Sequence, residues 1–253
     1  MLQLPPLLTA HAVATSDDPL SIACRGAVDA TFGAGDVIWS SAVVAADAAL
    51  VLEPDVAAEV ARQMGPLVMV AAADCLGALL PPQVAVEHRW PGTILVNGAD
   101  SGRVRLAMPA TPAAEIPAWI ALAITVKLGA VSTIGEPGEH PGMTTLAEEG
   151  GDALSNLDVL QSLFRHVLTW LDIWQQDGFA SIASNWMFRA HGRLEPVTHS
   201  HADKTVAGKI LGLDAHAGLR LGTAEGSETV LDYPVLDGDA IADRLATTAG
   251  RTA

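Results

Sequence analysis

Lysine is nearly missing from this sequence. Of 14 basic residues only Lys127, Lys204 and Lys209 are lysines, and the first 126 residues contain none. Against 29 acidic residues this leaves a formal charge of −15. Such a surface repels a phosphate backbone at long range, which excludes nucleic acid as a main partner. Two cysteines, Cys24 and Cys75, are too few for a disulfide framework, and a reducing cytoplasm is their natural setting. The longest apolar stretches, residues 67–80 and 116–128, are too short to cross a membrane and carry Asp74 and Lys127. The opening MLQLPPLL has no positive charge before its short apolar run, and prolines interrupt it, so no signal peptide is read there. Half of the 253 residues are apolar and only 17% are charged, which excludes a mainly disordered chain. That length suits one large domain or two unequal ones.

Residues 1–30 give weak signals and read as a lead-in. Residues 37–40 and 48–53 read as strands. Pro54-Asp55 then opens a helix, with Asp55 as its N-cap, through Val56, Val60 and Met64. Gly65-Pro66 breaks it, and a second helix over 67–80 stops at Pro81-Pro82. Val84, Val86, His88 and Trp90 alternate with Ala85, Glu87 and Arg89 at strand spacing. A hairpin follows, with Asn97-Gly98 and three or four further residues as its turn and 103–108 as its return strand. In that strand Arg103 and Arg105 share a face opposite Val104, Leu106 and Met108. Residues 118–127, apolar on both faces, read as a central strand.

Gly, Pro and Glu dominate a long loop at 129–152. Leu157, Leu160, Phe164, Val167, Leu171 and Trp174 recur at helical spacing, with Asn156 as the expected cap, and a short helix follows around 182–190. From about residue 194 the texture becomes brief strands with glycine turns, as in a small barrel: PVTHSHA, TVAGKILGLD, GLRLGT and ETVLDY. A domain boundary is placed near Gly192, giving units 1–192 and 193–253. The tail after Asp237 reads as an acidic surface helix that frays.

The segment HRWPGTILVNGADSGRVRLAMP resembles the central motif of biotin protein ligases. In those proteins a basic residue, Trp-Pro-Asn-Asp, an apolar strand, a turn, a Lys and an Ala-Gly-Ile-Leu strand follow in order. Arg89, Trp90 and Pro91 match, as do residues 94–96 and 104–106. ALVLEP, AWIALAITV, TTLAEEG, TWLDIWQQDGFASIASNW and GKILGLDAHAGLRL resemble successive family segments, so the likeness spans roughly residues 35–232. It implies an α+β fold of the biotin/lipoate A/B protein ligase family: a mixed β-sheet with flanking helices, plus a small C-terminal SH3-like β-barrel. It also implies ATP and biotin or lipoate as ligands if the family activity is retained, and a biotin or lipoyl carrier domain as partner.

Such ligases activate a carboxylate with ATP and pass the acyl group to a carrier lysine, which needs fixed cations around the phosphates. The family supplies them with an arginine-glycine loop and a lysine after the Trp-Pro-Asn-Asp strand. Here residues 26–53 contain no Arg or Lys and carry Asp29, Asp36 and Asp47. In gapless alignment the lysine is Asp100, with no other lysine nearby to replace it. The Asn-Asp pair is Gly92-Thr93, and the Gly-x-Gly strand has become Ala121-Leu122-Ala123, with Thr125 for its Asn.

Arg89, Trp90, Pro91, Gly92, Thr93, Arg103 and Arg105 are therefore the candidate ligand-binding residues, and no catalytic residue is identified. Arg103 and Arg105 are either a relocated anion clamp or two solvated arginines on a half-exposed strand. His191, His199, His201 and His216 fall within 26 residues, but no patterned Cys or carboxylate joins them, and no metal is expected. Cys75 reads as buried packing. Three functions are open. One is a ligase-like protein with a degenerate adenylation site that binds a small carboxylate, an acyl ligand or a carrier domain. The others are an active ligase or acyltransferase rebuilt on arginines, and a non-catalytic interaction protein.

Overall fold

The computed structural model describes residues 2–129, 142–201, 204–224 and 226–249. The lead-in holds two elements. Strand β1 (Thr9–Val13) lies parallel to β2 (Asp36–Ser40), and helix α1 (Pro19–Val28) runs between them. Asp18 caps α1 by accepting the Ser21 amide hydrogen, and Pro19 sits where a missing N–H costs nothing. Asp18-Pro19 is thus a helix-start signal that the sequence did carry.

Strand β3 (Ala45–Leu52) pairs antiparallel with β2, and two helices follow, α2 (Ala58–Ala61) and α3 (Met64–Leu79). Two expectations fail here. Asp55 caps nothing, since α2 starts after Ala57 and has no side-chain cap. Gly65-Pro66 does not break a helix but lies in the first turn of α3, where amide hydrogens lack intrahelical acceptors anyway.

Strands β4 (Val86–Arg89), β5 (Thr93–Val96), β6 (Ala99–Met108) and β7 (Ile120–Lys127) complete most of the large sheet, in the order β1-β2-β3-β7-β6-β5-β4. β7 is central, as its two-sided apolar pattern predicts. The hairpin turn is shorter than expected. Asn97 (φ 49°) and Gly98 (φ 83°) form all of it, and β6 begins at Ala99. Ile94 pairs with Gly102 and Leu95 with Asp100, so Ser101 is a bulge residue. The bulge resets the alternation and puts Asp100 on the same face as Arg103.

The sheet has two cores. Val104, Leu106, Leu122, Ile124 and Leu50 face α3, α4 (Asn156–Asp177) and α5 (Phe179–Phe188). Ser155 rather than Asn156 caps α4, through a capping box with Asp158, while the Asn156 amide donates to the Ala42 carbonyl at 2.8 Å. Ile38, Ala49, Ala107, Ala121 and Ala123 face the other way and pack with Leu20 and Ala23 of α1.

Four antiparallel strands, β8 (Val197–His201), β9 (Lys204–Leu213), β10 (Leu219–Gly222) and β11 (Glu228–Leu231), form the second, C-terminal sheet in the order β11-β10-β9-β8. The chain then returns to the large sheet. β12 (Leu236–Asp237) pairs parallel with β6, and α6 (Gly238–Ala249) packs on the second face beside α1. The expected tail helix exists, but it is docked: Ile241 and Ala242 are buried against the alanine-rich face. Residues 130–141 of the expected loop lie outside the described residues. Among the described residues no helix is long and apolar enough to cross a membrane.

Candidate functional site: a polar row across the second sheet face

Strand register assembles a line of polar side chains that are far apart in sequence. Arg89 pairs with Thr93, Thr93 with Arg103, Arg103 with Thr125, and Thr125 with Asp47. Neighbouring strands lie about 4.8 Å apart, so the row spans roughly 20 Å. Its members share the face covered by α1 and α6, because their neighbours Ile94, Val104, Ile124 and Ala48 belong to the opposite core. Beside the row, Ala49, Ala121 and Ala123 make a floor of small side chains.

Most charges along the row are matched. Arg105 Nη2 donates to Asp18 Oδ1 at 3.1 Å. Lys127 Nζ lies 3.0 Å from the Asp100 carbonyl oxygen and 3.2 Å from its Oδ1. Arg89 Nη2 is 3.8 Å from Asp100 Oδ2. Thr125 Oγ1 donates to Asp47 Oδ1 at 2.9 Å. Arg103 is exposed, and its side chain makes no hydrogen bond or ion pair among the described residues. Burial pushes the Asp47 carboxyl above the usual carboxylate range, and the Thr125 hydrogen bond and Arg105 counter it only in part. Burial also acts on Asp18, but the Ser21 hydrogen bonds and Arg105 together outweigh it and hold that carboxyl low.

The sequence reading found one part of this cluster and missed another. Arg89, Thr93, Arg103 and Arg105 do come together along the register, and Thr93, Arg103 and Arg105 line a cavity of about 280 Å³ beside β6 with Pro91 and Gly92, while Arg89 stands outside it. Gly92 must be glycine there, since a Cβ would overlap the Val104 carbonyl. Trp90 does not line the cavity. It is buried in the first core, donates its indole hydrogen to the Ala217 carbonyl at 3.3 Å, and meets Tyr233 and His199 edge-on. The expectation that no lysine stands near Asp100 is also wrong. Lys127 is 27 residues away in sequence but reaches it across the β6–β7 pairing. Asp18, Asp47, Thr125 and Lys127 give no local sign of this placement; only pairing register reveals them.

Of the clustered histidines three disperse, and the His201 side chain lies outside the described residues. His191 meets Glu87, His216 lies near Glu59, and His199 packs on Trp90. Among the described residues no group of three or more His, Cys, Asp or Glu could hold a metal. Burial raises the Cys24 thiol to about 12 and the Cys75 thiol to about 11, so neither is a nucleophile at neutral pH.

Comparison with known proteins accords with this architecture. Residues 4–188 match the biotin/lipoate A/B protein ligase family. The biotin–[acetyl-CoA-carboxylase] ligase of Paracoccus denitrificans is 28% identical over 187 residues, covering 72% of this chain and 75% of that protein. A biotin protein ligase-like protein of unknown function from Silicibacter sp. TM1040 superposes with a TM-score of 0.81 at 32% identity, covering 92% of this chain and 97% of the other. The biotin protein ligase of Aquifex aeolicus, in complex with biotin and ATP, gives 0.70 at 14% identity over 88% of this chain and 97% of that one. At that identity the likeness shows the fold alone.

Proposed function

Because the chain belongs to the biotin/lipoate A/B protein ligase family, we propose that it binds a small carboxylate or acyl ligand, or a carrier domain, on the arginine row without adenylating it. The observation that carries this reading is the pairing of charges along the row. Arg105 is matched by Asp18, and Arg89 and Lys127 share Asp100, which leaves Arg103 as the unmatched guanidinium of this cluster. One cationic anchor with a nearby hydroxyl suits a monoanionic carboxylate. It does not suit a triphosphate and its departing pyrophosphate, which need several fixed cations at once. Asp47 adds a carboxyl where extra negative charge would be repelled. Thr93 is the hydroxyl available to a bound carboxylate or acyl carbonyl, since Thr125 already donates to Asp47.

Biotin- and lipoate-dependent pyrophosphate exchange should be undetectable, while calorimetry against biotin, lipoate and octanoate should find at least one binder. Exchange at micromolar substrate would refute the non-adenylating reading. It would favour the second one, an acyl-protein ligase or acyltransferase with a rebuilt site, which the placement of Lys127 beside Asp100 supports.

A further inference from the structure

The edge of β6 is bare over a short stretch. Its pairing with β5 ends at Arg103, and its pairing with β12 begins at Ala107. Between them the Val104 amide donates to the Gly92 carbonyl at 2.7 Å. The cavity of about 280 Å³ fills this gap. Pro91, Gly92 and Thr93 form one wall, Val104 and Leu106 lie along β6, and Arg103 and Arg105 border it. The opposite wall is Tyr233, Pro234 and Leu236, from the segment that joins the small sheet to β12.

We propose that this segment, residues 232–236, is the end wall of the ligand site and fixes the length of acyl chain the site accepts. The proposal rests on the carboxylate-binding reading above and extends it to residues beyond the family match at 4–188. The slot is lined mainly by carbon and bordered by a guanidinium without a partner among the described residues, which is complementary to an apolar tail with one anionic head. Its volume lies just below the ~300–1,000 Å³ of ordinary ligand pockets, and its carbon-rich lining suits an acyl chain.

The wall is held at both ends. Tyr233 is buried, stands edge-on to Trp90 at 6.3 Å, and presses its hydroxyl end against α3 at Gly65, where a Cβ would overlap it. Beyond Leu236, β12 is hydrogen-bonded to β6, and Gly238 lets the chain pass tightly over Trp119. Trp90 and Gly65 are therefore positioning residues for the wall. Leu236 stays 39% exposed, which leaves room for its replacement without loss of the fold.

The test is calorimetry with butyrate, octanoate and dodecanoate on the full chain. Each methylene buried in the slot should tighten binding about fourfold. Wild type should prefer octanoate to butyrate and gain nothing further from dodecanoate. Leu236→Ala should move the preference toward dodecanoate, and Leu236→Trp toward butyrate, with thermal unfolding confirming that both variants fold. Arg103→Ala should weaken all three acids alike, which separates the head contact from the tail contact. If Arg103→Ala weakens binding but both Leu236 variants keep the wild-type chain-length order, the end wall is refuted and carboxylate binding stands. If wild type binds none of the three acids, the end wall is refuted, while the carboxylate-binding reading is decided by calorimetry with biotin and lipoate.

Discussion

Acid should destabilise this protein through one histidine in its core. His88 on β4 has 0% exposure, and its ring stacks on Trp186 at 6.2 Å with an interplanar angle of 12°. Among the described residues neither ring nitrogen has a hydrogen-bond partner. Burial pushes the imidazole down to about 3, and the Arg189 guanidinium pushes the same way. In the unfolded chain the same ring titrates near ~6.5. Between those values the unfolded state takes up a proton that the folded state refuses. The stability linked to His88 is therefore fully present above about 6.5 and is lost as pH falls toward 3. At 1.36 kcal/mol per unit, moving from pH 7.5 to 4.5 should cost about 2–3 kcal/mol from this group alone. That is a large share of the roughly 5–15 kcal/mol that holds a domain folded. Because the ring is fully buried, solvent screening gives no reason to discount the figure.

Urea unfolding of wild type and His88→Leu at both pH values isolates the effect. Wild type should lose about 2–3 kcal/mol more than the variant on acidification. At pH 7.5 the variant should be at least as stable as wild type, since an unpartnered buried polar atom costs about 1–3 kcal/mol and Leu has none. Parallel acid losses in the two proteins, or a native imidazole that titrates near neutral pH by NMR, would refute this account of β4.

Two further substitutions probe the Tyr233 wall and the polar row. Gly65→Ala should destabilise by about 1–3 kcal/mol in urea, because its methyl must displace the Tyr233 ring from a packed site; an unchanged midpoint would show that Tyr233 is not wedged there. Asp47→Asn should stabilise the protein at neutral pH. Since burial raises that carboxyl, its favourable contribution is complete below the unfolded value near ~3.9 and is lost as pH rises through the folded one. The advantage of the variant should accordingly vanish by about pH 3, and an advantage that persists there would point to a different cause.

Period-two and helical patterns are local properties, and they were legible. The alternation around Val104, Leu106 and Met108 placed Arg103 and Arg105 on one face, and the two-sided apolar run at 120–127 marked β7 as central. The order of segments from Trp90-Pro91 to the Gly-Leu hairpin at 218–219 was enough to recognise the fold, because family likeness depends on sequence order and spacing. Local signals were misread where two options compete over one or two residues. Asn156 lost its cap to Ser155, which has Asp158 three residues on, and Gly65-Pro66 stands inside a helix start instead of ending one.

The tertiary structure alone decided what surrounds the arginines. Pairing register is set by which apolar faces bury together, and no short window of sequence encodes it. One bulge at Ser101 turned Asp100 toward the arginine face, where Lys127 meets it, and the β3–β7–β6 pairings carried Asp47 and Thr125 beside Arg103. The return of residues 233–242 to the large sheet is equally non-local. It depends on Gly65 and Trp90 receiving Tyr233, and on an alanine floor low enough to admit Ile241 and Ala242.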